Sequence, residues 1–186
     1  SNSRVFIKNL SYQNKFHSDL KMKLPKKLNF RKYSKDLLKE KFDLIVIALS
    51  LSGIDFIGKE LKDLKIQIPI LVLTKGLKYE KKKRKILTIS EKLNKDFKIK
   101  DISILKGPCL AKELAKENQT SVIIANKNIK KAKKIGKMIS TKYYLIEYSK
   151  DIIGVEISSA IKNIYAMIIG AGQSLNAASN LFQKSI

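Results

Sequence analysis

A chain of 186 residues, 44% hydrophobic and 30% charged, can bury the core of one ordinary domain, or of one domain and part of another. Its single cysteine excludes an intrachain disulfide framework and fits a reducing compartment. The net charge of +23 invites a nucleic-acid reading. However, lysines are spread over nearly every segment and only three arginines are present, so nucleic acid is not expected as the main partner.

The chain opens on SNSRVFIKN, which already enters an apolar run. His17, the sole histidine, falls in an irregular basic segment with no motif around it. After residue 40, short β-rich runs alternate with amphipathic segments. FDLIVIALS (42–50) reads as a buried strand, and GIDFIGKELKDL (53–64) follows with helical spacing. IPILVLTKG (68–76) is the next strand, and KKRKILTISEKLNKDF (82–97) reads as a helix with a charged outer face. DISILKGP (101–108) is a strand followed by a short helix, CLAKELAKEN (109–118). TSVIIAN (120–126) and YYLIEYS (143–149) are strands on either side of the helix NIKKAKKIGKMIS (128–140). This alternation predicts βαβ units and a mostly parallel sheet.

Beyond Asp151, a plausible helix N-cap, the strand signals stop. One long apolar helix is expected over IIGVEISSAIKNIYAMIIGAGQSL, and NAASNLFQKSI looks like the start of another. The chain therefore divides into an α/β domain, 1–150, and the first helices of an all-α domain, 151–186, too short for a core of its own. No stretch reads as a signal peptide. DLIVIAL and IYAMIIGAG, the most apolar runs, are too short to span a bilayer, so a soluble, cytoplasmic protein without a membrane partner is expected.

In a parallel sheet, ligands bind beyond the carboxyl ends of the strands. Lys75, the Gly107-Pro108-Cys109 turn and Asn126 are expected there, and the helix after Gly107 would offer free backbone N–H groups to an anion. Lys162 interrupts an otherwise apolar helix, with Ser158 and Ser159 one turn away leaving space beside it. Two lysines and a helix start facing one cleft suggest a small anionic substrate. A lysine whose pKa is lowered by burial and by a second ammonium could act as a proton acceptor. The alternative is a lysine that reaches along its helix to solvent. Cys109 as a nucleophile at a helix start is a rival reading, and no Cys/His cluster has metal-ligand spacing, so no metal is expected.

FDLIVIALS, ILVLTKGL, LKGPCLAKELA, TSVIIA and DIIGVEISSAIKNIYAMIIGAG together, in order and spacing, resemble the NAD(P)-dependent glycerol-3-phosphate dehydrogenases of the bacterial type over residues 38–186. The resemblance implies a hydride-transferring enzyme that uses NAD or NADP. It would interconvert glycerol 3-phosphate and dihydroxyacetone phosphate for phospholipid synthesis, with a homodimer possible when complete. It implies that Lys162 is the proton acceptor with Asn163 beside it, that Lys75 touches substrate and nucleotide, that Gly107 and Cys109 touch substrate, and that Ala111 lies by the nucleotide. The chain departs from the family in several places. Cys109 stands for Ser or Thr, Ser50 for Pro, and Lys184 and Ser185 for Arg and Gly. No G-x-G-x-x-[GA] turn is present to cradle a pyrophosphate. The expected fold is thus a partial Rossmann-like parallel sheet lacking its first strand and glycine turn, with RVFIKN as its second strand. A central fragment of this kind is expected to be inactive alone. Two readings compete with this one: a non-catalytic basic domain for nucleic acid or anionic surfaces, and a related two-domain dehydrogenase for another hydroxy acid.

Overall fold

A computed structural model describes residues 16–17, 19–63, 68–81 and 84–183. The expected strand RVFIKN and the substitutions at Lys184 and Ser185 lie outside the described residues. Strands β1 (Phe16–His17) and β2 (Met22–Lys23) form a small antiparallel ribbon. His17 therefore sits in a strand, where its Nδ1 accepts from the Leu20 N–H at 3.3 Å.

The main sheet contains β3 (Ile45–Ile47), β4 (Ile70–Val72), β7 (Ile102–Lys106), β8 (Thr120–Ala125) and β9 (Tyr144–Ser149), in the spatial order β3-β4-β7-β8-β9. Between them run helices α1 (Ile54–Asp63), α2 (Ile89–Phe97), α3 (Ala111–Ala115) and α4 (Ile129–Ile139), and α5 (Ile152–Gln183) follows β9. Alternate residues of β4 and β7 feed two cores. Ile70, Val72, Ile102 and Ile104 pack with Ile54, Leu61, Ile89 and Leu93 on one side. Leu71 and Leu105 pack with Val122, Ile124, Ala132 and Ile135 on the other. Two-sided burial explains why β4 reads as an unbroken apolar run.

The sheet is mostly parallel, as its alternating elements predict, but β7 and β8 pair antiparallel. The connection between them explains this. α3 has five residues and rises only about 7.5 Å, less than half the roughly 16 Å length of β7. The chain never runs back along the sheet and re-enters it at the end it has just left.

Two elements differ from the sequence reading. The helix expected over 82–97 begins only at Ile89, because β6 (Lys85–Leu87) pairs with β5 (Lys78–Glu80) in an antiparallel ribbon. Thr88 then starts the helix through a capping box. Its side chain accepts from the Glu91 N–H at 3.3 Å, and its own N–H donates to Glu91 Oε2 at 2.9 Å. The second difference is α5, one continuous helix where a break was expected after Leu175. Asp151 caps it, accepting from the Gly154 N–H at 2.8 Å. Residues Ile152–Ser174 are long and apolar enough to cross a bilayer by length and composition, which corrects the expectation that IYAMIIGAG is too short: that run lies inside a longer apolar helix.

Candidate functional site

Helix α5 is held to the sheet through Glu156, which is 3% exposed. Its Oε1 accepts from the backbone N–H groups of Ile89 at 3.1 Å and Ser90 at 3.2 Å, and its Oε2 accepts from the Ser90 hydroxyl. A carboxylate on the free N–H groups at a helix start satisfies donors that have no intrahelical partner and complements the dipole. With this face of α5 fixed on α2, another face turns toward the end of β7. Its residues Gly154, Ser158, Ser159 and Lys162 recur at spacings of three and four, so they form one stripe. They line a cavity of about 580 Å³ together with Lys106, Gly107 and Pro108. Glycine and serine at three of these positions keep the space beside Lys162 open.

Gly107 follows β7 with φ +155°, and a Cβ there would meet the Val122 Cα at 2.9 Å. The position needs glycine because the chain turns against β8, whatever occupies the cavity. Gly76, one residue past Lys75, has φ +117°, so the strand-end turn after β4 also uses a conformation that favours glycine. That turn is tied down by Thr74, whose hydroxyl donates to the Leu49 carbonyl at 2.8 Å, and by the Leu73 N–H, which donates to Ile47 O at 2.9 Å.

Of the residues singled out in the sequence, Gly107, Pro108, Ser158, Ser159 and Lys162 line this cavity. Lys75, Cys109, Ala111 and Asn163 are not among its lining residues. Lys75 is exposed at the turn after β4, and Ala111 is exposed at the start of α3. Cys109 is half-buried and packs against the second core, two residues ahead of α3 instead of opening it. Lys162 and Asn163 are exposed, which corrects the expectation of a lysine inside a buried helix. Beyond Ile161 the described side chains of α5 are all exposed, Met167 and Ile168 included at 74% and 63%.

Asn126 is not at this end of the sheet at all. Because β8 runs antiparallel to β7, its carboxyl end lies beside the start of β7. There Asn126, 4% exposed, donates to Ser103 Oγ at 2.8 Å and to the Ile102 carbonyl at 3.3 Å, and it accepts from the Asn128 N–H at 2.8 Å. Its amide is consumed in joining strands.

The sequence reading passed over Lys106, the last residue of β7. It is 4% exposed, and its Nζ donates to the Leu73 carbonyl at 3.2 Å and to the Thr74 carbonyl. Burial pushes its pKa down from 10.5 to about 8, against the pull of the Glu156 carboxylate and with a further push from Lys75. Lys106 thus feels the charge of Lys75 while lining the cavity that holds Lys162. The signal was present in the sequence, as a lysine closing a largely apolar strand immediately before Gly-Pro.

A dinucleotide needs a cradle of backbone N–H groups for its pyrophosphate. Among the described residues no strand-to-helix turn carries the G-x-G-x-x-[GA] spacing, so these residues lack such a cradle. Among the described residues no cluster of three or more His, Cys, Asp or Glu could hold a metal ion.

Residues 2–132 match the model of the family described as NAD-dependent glycerol-3-phosphate dehydrogenase N-terminus. A relative from Leptospira biflexa, named glycerol-3-phosphate dehydrogenase (NAD(P)+), is 32% identical over 139 residues, which cover 74% of this chain and 41% of that one. The chain spans about two fifths of the length of the curated relatives it matches. Its fold is similar to DsGPDH of Dunaliella salina, with a TM-score of 0.70 and 22% identity over 92% of this chain and 29% of that one. It is also similar to the glycerol-3-phosphate dehydrogenase (gpsA) of Coxiella burnetii, with a TM-score of 0.68 and 21% identity over 94% and 52% of the two chains.

Proposed function

Because the chain belongs to the NAD-dependent glycerol-3-phosphate dehydrogenase N-terminus family, we propose that it is part of an oxidoreductase interconverting glycerol 3-phosphate and dihydroxyacetone phosphate, with Lys162 as the proton acceptor. The observation that carries this reading is the cavity in which Lys162 stands beside the Gly107 turn with an open stripe of small residues. When bound, NAD or NADP supplies or takes up the hydride, so the protein has only to bind the phosphate, orient the reacting carbon and accept a proton. Lys162 Nζ is the group proposed to take the hydroxyl proton. Lys75, exposed in the turn after β4, and the Gly107-Cys109 turn bind the substrate anion, Asn163 bonds a substrate oxygen, and Lys75 and Ala111 face the nucleotide. Glycerol 3-phosphate made this way would feed phospholipid synthesis.

Residues 1–186 by themselves, with no pyrophosphate cradle among those described, are proposed to be inactive; calorimetry with NADH and NADPH tests this, and micromolar binding would contradict it. The base assignment is tested with Lys162→Ala and Lys162→Arg in the whole protein, measuring turnover and cofactor affinity separately. Loss of a general base costs on the order of a hundredfold or more in rate. Arginine keeps the charge without a usable neutral form. Near-normal turnover in Lys162→Arg would make Lys162 an anion anchor instead.

A further inference from the structure

We propose that Lys106 is a positioning residue for substrate binding: its buried ammonium clamps the strand-end turn that presents Lys75 and thereby sets the affinity for the substrate phosphate. This rests on the reading of the cleft given above. β4 ends at Val72, so the carbonyls of Leu73 and Thr74 lie past its strand pairing, and these are the two groups to which Lys106 Nζ donates. They belong to the two residues immediately before Lys75. Thr74 is anchored from below by its hydroxyl on Leu49 and from the side by Lys106. Gly76 beyond Lys75 adopts a positive φ that favours glycine. The turn is therefore tied down on the side that precedes Lys75, and two of the bonds that tie it come from Lys106.

Packing alone does not account for a lysine here. A buried ammonium is costly, and an apolar side chain of equal length would fill the same space. The charged groups around Lys106 are Glu156 and Lys75, with Lys162 and Asp151 on the wall of the same cavity. Glu156 already accepts three donors from the start of α2, so it is not a dedicated partner. The ammonium presents three donors and a charge, the neutral amine two donors and none. Deprotonation near pH 8 leaves donors for both carbonyls but removes the charge that strengthens those bonds, so it loosens the clamp and takes away a positive charge beside Lys75.

The test uses the whole protein, with Lys106→Met compared against the parent. The parent's KM for dihydroxyacetone phosphate should rise between pH 7 and 9 with an inflection near 8. A phosphate monoester is already almost fully dianionic there, so the inflection does not come from substrate. Lys106→Met should raise KM at pH 7 by about tenfold, in line with one lost charge-assisted hydrogen bond, with a smaller change in kcat, and should abolish the inflection. A merely structural lysine would lower Tm and leave the pH profile of KM intact. An unchanged KM, or an inflection that survives in Lys106→Met, overturns the proposal while leaving the reading of Lys162 standing. A parent with no turnover of dihydroxyacetone phosphate overturns both at once. If Lys106→Met fails to fold, the parent profile decides: a flat KM between pH 7 and 9 rejects the clamp.

Discussion

The centre of the sheet and the far half of α5 are both apolar, yet they solve the burial problem in opposite ways. β4 and β7 sit between two layers of side chains, so Ile104 and Val72 are shielded completely, as is Leu93 of α2 that packs on them. From Ile164 onward α5 has no described layer over it, and Tyr165, Met167, Ile168 and Ile169 stand more than half exposed. The backbone of a helix is satisfied within the helix, so α5 can extend without a neighbour. A strand cannot, because its N–H and C=O groups need a partner strand. Apolar sequence therefore reports the capacity for burial in both regions, while the supply of partners decides whether burial occurs.

Truncations should separate the two regions most sharply. Leu93→Ala is expected to cost about 2–5 kcal/mol through lost transfer energy and a cavity. Ile168→Ala should stay within about 0.5 kcal/mol, since its side chain is already in water. Chemical denaturation of both variants checks this, and a large loss at Ile168 would mean that the exposed face is covered in solution.

The junction between the regions comes next in size. Glu156→Gln keeps the side-chain shape but replaces a charged acceptor at the start of α2 with a neutral one. A loss of roughly 1–3 kcal/mol is expected, because the N–H of Ile89, the N–H of Ser90 and the Ser90 hydroxyl share that carboxylate. Hydrogen exchange at Ile89 and Ser90 should quicken together with exchange in the first turns of α5. Quickening in α2 alone would show that α5 is held by its apolar contacts.

The smallest effect belongs to the surface. Asp55 pairs with Lys78 at 3.1 Å and with Lys92 at 2.8 Å, joining α1 to the β5–β6 ribbon and α2. Partial burial pulls its pKa upward, but the two ammonium groups outweigh this and hold it below 3.8. Such a carboxylate contributes stability above its unfolded pKa, and that contribution disappears as pH falls through the folded value. Asp55→Asn should therefore cost about 0.5–1 kcal/mol at pH 7 and progressively less below pH 4. A Tm difference that stays constant down to pH 2 would exclude the ion pairs as its source.

Much of this architecture was legible along the chain. The apolar run of β4, the β-rich run of β7, the helical spacing of α1 and α4 and the cap at Asp151 are all short-range patterns, and each forms the expected element. The T-x-x-E spacing at Thr88 and Glu91 was equally legible and marks the true start of α2, yet the basic run before it was read as helix. Gly107 and Lys162 could be singled out because a glycine after a strand and a lysine among apolar residues each break a local pattern.

What the sequence could not settle by itself was direction and partnership. Nothing in TSVIIA says whether β8 enters the sheet parallel or antiparallel. That depended on how far α3 carries the chain, and it moved Asn126 to the opposite end from Gly107. Lys106 and Glu156 looked like a strand's last residue and one polar position in a helix. Only the packed molecule brings Lys106 onto the carbonyls of Leu73 and Thr74, and Glu156 onto the start of α2, across 32 to 67 residues of chain. Propensity, capping and periodicity act within about one turn or one strand, so the sequence determined the elements. Hydrogen bonds and charges act through space, so only the tertiary structure decided which buried groups meet at the cleft.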